Sequence, residues 1–144
     1  MLNKTEFIDQ LREKGLKVTP QRLSVIETLM ENRYDHPGAA LVYREARKKL
    51  ASISLSTVYA TLKEFSEHGM IRALEFDRIE NRYDLDLSEH VNLVCLKCGS
   101  ISDFDLPCSI ETKNIKRKAG FVITDTRMEY YGYCRNCMKN TLKE

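Results

Sequence analysis

The sequence predicts an α+β protein in which a helical N-terminal half precedes a smaller half that is rich in strands. Before Gly69, apolar residues recur every three or four positions through four segments, as on the buried face of a helix. After Ser88, they lie instead in short extended runs that accompany two C-x-x-C pairs. This change of pattern divides the chain into a domain at 1–84, a hinge at 85–89 and a domain at 90–144.

The composition limits the classes to which the protein can belong. The N-terminal segment is charged throughout, and no apolar run approaches the roughly 20 residues that cross a bilayer. The sequence therefore predicts a cytoplasmic protein with reduced thiols and no membrane partner. The net charge is +2, yet residues 1–72 hold twelve Lys or Arg against nine Asp or Glu. This local excess either marks a nucleic-acid partner or is a solvated helix face.

The first three predicted helices have recognisable starts and stops. Residues 3–14 form an amphipathic segment, and a glycine follows its last turn. Thr19 as N-cap and Pro20 in the first turn begin the second helix, which ends near Asn32. A short linker leads to the third helix, AALVYREARKKL, whose inward residues are predicted to be Leu41, Val42 and Ala46.

The fourth predicted helix, STVYATLKEFSEHG, has the features of a DNA-reading helix. Ser54 or Ser56 can cap it, and its predicted buried stripe is Leu55, Val58, Leu62 and Phe65. The opposite face presents hydroxyls, an aromatic ring and a basic group, which suit phosphates and base edges in a major groove. The residues predicted to face outward are Ser56, Thr57, Tyr59, Ala60 and Lys63.

Strands are predicted on both sides of the hinge. The alternating segments MIRALEF and NRYDLDL flank DRIE and predict a two-stranded hairpin. Helices followed by such a hairpin make a winged helix, so the first domain is expected to bind double-stranded DNA. In the second domain we expect strands at VNLVC, SISDFDL and FVITDTRMEYYGYC, with a helix at PCSIETKNIKRKAG.

The cysteine spacing predicts a zinc site. Cys95 with Cys98, and Cys134 with Cys137, each leave two residues between thiolates, which lets both sulfurs bind one ion. Two such pairs complete a closed tetrahedral site, so we expect one structural Zn²⁺ per subunit that stabilises a small domain.

A thiol oxidoreductase is the alternative reading of these cysteines. A redox C-x-x-C motif places its first cysteine at a helix N-terminus, whereas Cys98 precedes Gly99 and a predicted strand. The fifth cysteine, Cys108, is interpreted as a buried small apolar residue.

A second set of donors surrounds the first cysteine pair. Asp84, His90 and Asp103 offer carboxylates and an imidazole, and His36 lies in the linker between two predicted helices. Mixed nitrogen and oxygen donors suit iron(II) or manganese(II). Such a site would take ligands from both domains and lock one against the other. His68 lies in the last turn of a predicted helix and is read as surface.

Short motifs along the chain resemble those of the ferric uptake regulator family. They extend from about Leu16 to Cys137, in the family's order: VTPQR, HPGA, STVYATL, NRYD, CLKCG and YGYCRNC. The resemblance implies a homodimeric, metal-dependent transcriptional repressor rather than an enzyme. It implies an N-terminal winged helix and a C-terminal dimerisation domain with four zinc-binding cysteines. It also puts the helix of Tyr59 in the major groove, with Lys17 and Arg22 near the DNA backbone.

The resemblance is nearest to the peroxide-responsive branch of that family. It implies a regulatory iron or manganese site at His36, Asp84, His90, Asn92 and Asp103. In that branch the position of Asp84 is aspartate, whereas iron sensors tend to have glutamate. The two histidines that peroxide and bound iron oxidise would be His36 and His90.

The sequence departs from the family's pattern at Asn92 and in the TDTR segment at 124–127, and to a smaller extent at Gly38. The TDTR segment lacks the histidines that many members place there for a further metal site. Asn92 stands where a third histidine is expected, and an amide oxygen is a weaker donor to iron(II) than an imidazole. Gly38 in HPGA replaces the commoner serine or threonine next to a ligand.

The resemblance and the motifs together predict a peroxide-sensing repressor that releases operator DNA when a histidine is oxidised. An iron-sensing repressor is the alternative within the family. A thiol redox enzyme and a zinc-ribbon interaction module are the alternatives from other classes.

Overall fold

The computed structural model describes residues 2–77, 79–105 and 112–141 of the chain. It contains helices and sheets in two compact units, Met1–Leu87 and Ser88–Glu144. The mixed architecture confirms the predicted α+β class. In the part of the chain that is described, no helix is both long and apolar enough to cross a membrane.

The first unit is a bundle of helices followed by a hairpin. Its helices are α1 (Lys4–Glu13), α2 (Pro20–Glu31), α3 (Ala39–Lys49) and α4 (Leu55–Glu67), with a 3-10 turn at Arg33–Asp35. Strands β1 (Arg72–Leu74) and β2 (Arg82–Asp84) pair antiparallel. Side chains of Asn3, Thr19 and Ser54 cap α1, α2 and α4 as N-caps do, which explains where these helices begin.

The core of the first unit lies between these helices. Phe7 of α1 meets Phe65 of α4 edge to face, with ring centroids 5.2 Å apart. The predicted stripe of α4 is wrong at Leu55, which is 42% exposed, while Thr61 is buried instead. Leu55 is the first residue of α4, and the buried apolar residues of this helix begin one turn later, at Val58. In α3, similarly, Leu41 is only half-buried.

The second unit is built on a three-stranded sheet. Its elements are β3 (Val91–Cys95), β4 (Ile101–Phe104), α5 (Thr112–Ala119), β5 (Glu129–Gly132) and α6 (Arg135–Thr141). The strand order is β4-β3-β5, with β3 antiparallel to β4 and parallel to β5. The sheet places the end of β3 beside the end of β5, where Cys95 pairs with Gly132.

Two predictions for this unit need correction. The long strand expected in FVITDTRMEYYGYC is confined to Glu129–Gly132, and the chain from 121 to 128 has no regular structure. Helix α6 was not predicted. The expected helix in PCSIETKNIKRKAG is described from Thr112 onward, and Cys108 lies outside the described residues.

Candidate metal centres and nucleic-acid surface

The two cysteine pairs come together in the second unit. Cys95 ends β3, Cys98 follows in the adjoining turn, Cys134 lies directly before α6, and Cys137 lies within that helix. Their four Sγ atoms lie within 4.8 Å of one another, and those of Cys98 and Cys134 are 3.8 Å apart. Zn–S bonds of about 2.3 Å in a tetrahedral site separate sulfurs by about 3.8 Å. The cluster therefore has the donor set and the spacing to hold one zinc ion.

The surroundings of the cluster affect its thiols in opposite directions. The Cys134 amide donates to Cys95 Sγ at 3.3 Å, and amide donors from Cys134 and then Cys98 lower the pKa of Cys95 to about 6. The hydroxyl of Ser100 lowers the pKa of Cys98. Burial, by contrast, raises the pKa of Cys137 to about 12. A bound divalent cation would offset this rise in the pKa of Cys137, because it binds and stabilises the thiolate form.

In the first unit, His36 and Asp84 form a buried pair. His36 follows the 3-10 turn, Asp84 ends β2, and their side chains are 0% and 3% exposed. Nε2 of His36 lies 3.5 Å from Oδ2 of Asp84. The amide of Asp86 donates to the other carboxylate oxygen at 2.8 Å, which fixes the orientation of the group. An imidazole and a carboxylate held together in this way suit a divalent cation.

In the second unit, His90, Asn92 and Asp103 share one face of the sheet. Asn92 pairs directly with Asp103 across β3 and β4, and His90 Nε2 lies 3.4 Å from Asp103 Oδ1. The ring of His90 donates from Nδ1 to the Ser88 carbonyl at 2.9 Å, which leaves Nε2 able to accept or ligate.

The side-chain oxygen of Asn92 supports a cation at this face. The Oδ1 atom is buried and has no hydrogen-bond partner among the described residues. A buried acceptor of this kind is costly to leave unsatisfied, and a cation would satisfy it. Each unit therefore presents donors that fit the expected regulatory metal.

The predicted DNA-facing residues lie on one surface of α4. Ser56, Tyr59, Ala60 and Lys63 are exposed, and Tyr59 is 49% exposed. Thr57 is half-buried, because its amide and hydroxyl both bond to the Ser54 hydroxyl at the helix cap. The first three turns of α4 thus present hydroxyls, a phenol and an ammonium group to solvent.

Lys17 and Arg22 lie near the start of α2. Lys17 is exposed, whereas the Arg22 guanidinium binds both carboxylate oxygens of Glu64 at 3.0 and 2.8 Å. Arg22 also donates to the Lys17 carbonyl. This arginine therefore joins α2 to α4, and its contact with the DNA backbone stays a prediction. Sequence reasoning missed Glu64, since no local pattern relates residues so far apart in the chain.

Comparison with known proteins identifies the family to which the chain belongs. The sequence model of the ferric uptake regulator family matches residues 13–131. The peroxide operon regulator of Bacillus subtilis (strain 168) is 34% identical over 135 residues, which cover 93% of this chain and 92% of that protein.

Solved structures show the same fold. A zinc-bound manganese uptake regulator is 34% identical, with a TM-score of 0.66, and the match covers 89% of this chain and 98% of that one. The Campylobacter jejuni peroxide stress regulator is 28% identical, with a TM-score of 0.70, over 94% of this chain and 100% of that one. The chain therefore belongs to the ferric uptake regulator family, whose members are metal-responsive transcription regulators rather than enzymes.

Proposed function

We propose that this protein is a transcriptional repressor that binds operator DNA with a divalent metal bound and releases it when hydrogen peroxide oxidises a histidine. One observation carries the proposal: each unit holds a buried histidine beside a carboxylate, His36 with Asp84 and His90 with Asp103. The likeness to regulators named for their response to peroxide supports the same conclusion.

The two metals have separate roles in this proposal. One Zn²⁺ per subunit binds Cys95, Cys98, Cys134 and Cys137, where it stabilises a unit with few buried apolar residues. One Fe²⁺ or Mn²⁺ binds His36 and Asp84 from the domain at 1–84, and His90, Asn92 and Asp103 from the domain at 90–144. Because these ligands come from both sides of a hinge at 85–89, the ion fixes the two domains against each other.

Peroxide sensing requires a metal that can give up electrons. Iron(II), when bound, supplies the reducing chemistry that activates peroxide beside the imidazoles; manganese(II) does not. The ring of His36 or His90 gains one oxygen atom, and the second oxygen of the peroxide leaves as water. The oxidised ring no longer ligates, so the domains are free to move at the hinge and the DNA is released.

The exposed surfaces of each unit support proposals on DNA recognition and on dimerisation. Helix α4 enters the major groove with Ser56, Thr57, Tyr59 and Lys63, while Lys17 and Arg22 lie near phosphates. In the second unit, large apolar side chains stand exposed on the sheet and next to it, and an exposed apolar patch of this kind marks a subunit interface. They are Phe104, Tyr130, Tyr131 and Tyr133. We propose that a second copy of the chain covers them to form a homodimer.

Peptide mass spectrometry of the zinc-loaded protein tests the sensing step. The protein is loaded with iron(II) or manganese(II), treated with peroxide and digested with trypsin. The cleavage sites put His36 on peptide 34–44, His90 on peptide 83–97 and His68 on peptide 64–72. We expect one added oxygen on His36 or His90, with iron only, and an unmodified His68.

Two outcomes would contradict the proposal. Equal oxidation of all three histidines would mean that peroxide acts without a specific site. An unoxidised protein that still binds iron would indicate that the metal reports its own concentration, as in an iron-sensing repressor.

A further inference from the structure

The segment that carries His36 is bound to strand β2. The guanidinium of Arg82 donates from Nε to the His36 carbonyl and, at 2.6 Å, from Nη2 to the Asp35 carbonyl. The Tyr83 amide donates to the Pro37 carbonyl at 3.0 Å, and Gly38 forms a β-bridge with Arg82. Three consecutive carbonyls before α3 are therefore held by two consecutive residues of the hairpin.

His36 needs this support because of its backbone conformation. Its φ of 46° and ψ of 69° lie in the left-handed region, and it is the only described residue other than glycine with positive φ. Such a conformation costs free energy in a side-chain-bearing residue and persists only where the surroundings impose it. The bonds from Arg82 and Tyr83 impose it here, and they hold the ring toward Asp84 on the same strand.

The other end of the segment is held by Glu80. Helix α3 has Gly38 at its N-cap, so no side chain of its own satisfies the first amides. The Glu80 carboxylate supplies the acceptor instead, since Oε1 accepts from the Ala40 amide at 2.8 Å. A Cβ atom at Gly38 would lie 2.5 Å from the Glu80 carboxylate carbon. Glycine at this position therefore leaves the space through which Glu80 reaches the helix.

A carboxylate is well suited to this position. The N-terminus of a helix carries unpaired amides and a partial positive charge, and both favour an acidic group. A serine at the position of Gly38 would cap α3 with its own hydroxyl. In this chain the cap comes from the hairpin, forty residues further along the sequence.

We infer that Glu80 and Arg82 are positioning residues for His36, and that they couple the hairpin of the winged helix to the regulatory metal site. Arg82 fixes the segment before His36 enters α3, and Glu80 fixes the start of α3 itself. The inference rests on the proposed role of His36 as a metal ligand. It adds a physical link between the hairpin, which lies on the DNA-binding unit, and the affinity of the ion.

Substitution of Glu80 tests the inference in the zinc-loaded full-length protein. Removal of an N-cap acceptor by Glu80→Ala should weaken Mn²⁺ binding at the regulatory site by about fivefold, the factor that corresponds to one lost cap. The matched control is Asp77→Ala, which removes an exposed acid from the same hairpin and should leave the affinity unchanged. Affinity is measured from the loss of the electron paramagnetic resonance signal of free Mn²⁺.

A rescue variant separates positioning from general loss of charge. The φ of −85° and ψ of 171° at Gly38 suit a serine N-cap. The double variant Gly38→Ser/Glu80→Ala should therefore regain the wild-type affinity for Mn²⁺, because the serine hydroxyl replaces the carboxylate in a space that Glu80→Ala empties. Failure of this rescue, or an equal loss in Asp77→Ala, would contradict the inference.

A measurement without metal distinguishes this inference from the proposed function. The chain has three histidines, so the ring signals of His36, His68 and His90 can be assigned by NMR. In the metal-free site, Glu80→Ala should shift the His36 ring signal, Asp77→Ala should not, and the His68 signal should stay fixed. An unshifted His36 signal overturns the inference, as does a shift without any loss of Mn²⁺ affinity. If His36→Ala binds Mn²⁺ as tightly as the wild type, the proposed function fails instead.

Discussion

At the scale of single residues, Asp84 is the buried carboxylate of the part of the chain that the structure describes. It is buried, oriented by the Asp86 amide and close to the His36 ring. Asp84→Asn keeps the shape of the side chain but removes its charge, so we expect Mn²⁺ binding at the regulatory site to weaken at least as much as the roughly 10–100-fold that is typical when a group behind a metal ligand is lost. Titration of the zinc-loaded protein measures this loss.

The control for Asp84→Asn is Asp9→Asn on the exposed face of α1, which changes the net charge equally. It should leave the affinity for Mn²⁺ unchanged. An Asp84→Asn protein that binds Mn²⁺ like the wild type would show that the regulatory ion does not use this carboxylate.

Single residues also show what could be learned from the sequence. The zinc cluster was predictable, because the two-residue spacing of its cysteines is itself the constraint that metal geometry imposes. The histidine and carboxylate donors could be listed, but their pairing depended on β2, β3 and β4. The contacts of Glu80 and Arg82 could not be predicted from the sequence. They depend on the hairpin packing against the segment of His36, which lies more than forty residues away in the chain.

At the scale of elements, α4 carries the prediction on DNA recognition. Tyr59 is 49% exposed in the second turn of this helix. Tyr59→Ala should weaken operator binding by about 1–3 kcal/mol if the phenol contacts a base edge. Tyr34→Ala, in the 3-10 turn, removes a tyrosine that is 69% exposed and should have no effect. Equal losses in a DNA titration of both variants would place the reading surface elsewhere.

The link between α2 and α4 gives a prediction on stability. Arg22 and Glu64 are only 19% and 29% exposed, so their bidentate pair is partly shielded from solvent. Arg22→Lys keeps the charge but loses the planar fork, and it should lower the free energy of unfolding by about 1 kcal/mol. Denaturant unfolding measures this change.

DNA binding by Arg22→Gln, which removes the charge, separates two roles of Arg22. If this arginine acts only through the helix pair, the salt dependence of operator binding should be unchanged in Arg22→Gln. A lower salt slope would identify a direct phosphate contact, because one fewer counterion is then released.

Element boundaries were less predictable than element types. Helices α1, α2 and α4 follow residues whose own side chains cap them, so local chemistry was sufficient to predict where they begin, whereas α3 is capped by the distant Glu80. The strand predicted around β5 was too long because 121–127 has the composition of a strand but forms none, although the Met128 carbonyl still accepts a hydrogen bond from the Asn92 amide of β3. The neighbour of β5 on the sheet, β3, begins at Val91 and pairs only as far as Glu129–Gly132. The length of β5 therefore depends on where β3 begins, and the sequence of residues 121–132 alone does not predict it.

At the scale of the whole molecule, the two units differ in what stabilises them. The first has an extensive apolar core. The buried apolar residues described in the second are Val91, Val94, Cys95, Ile101 and Cys137. Removal of zinc by a strong chelator should therefore unfold the second unit and dissociate the proposed dimer, while the helices of the first unit remain. Circular dichroism and sedimentation measure these two changes.

A weak chelator is the control for zinc removal. It should remove only the regulatory ion and leave the dimer intact. A dimer that survives the loss of zinc, with its sheet unchanged, would show that the cysteine cluster is not a structural requirement.

The tyrosines of strand β5 give the protein an optical signal of its own. The chain has no tryptophan and seven tyrosines, of which Tyr130, Tyr131 and Tyr133 lie in or next to this strand. The Tyr131 hydroxyl donates to the Glu129 carboxylate, and an acceptor of this kind quenches phenol emission. Three of the seven phenols in the unlabelled protein therefore report on one sheet edge by their ultraviolet emission. Assembly and zinc loss can be followed in real time without a dye.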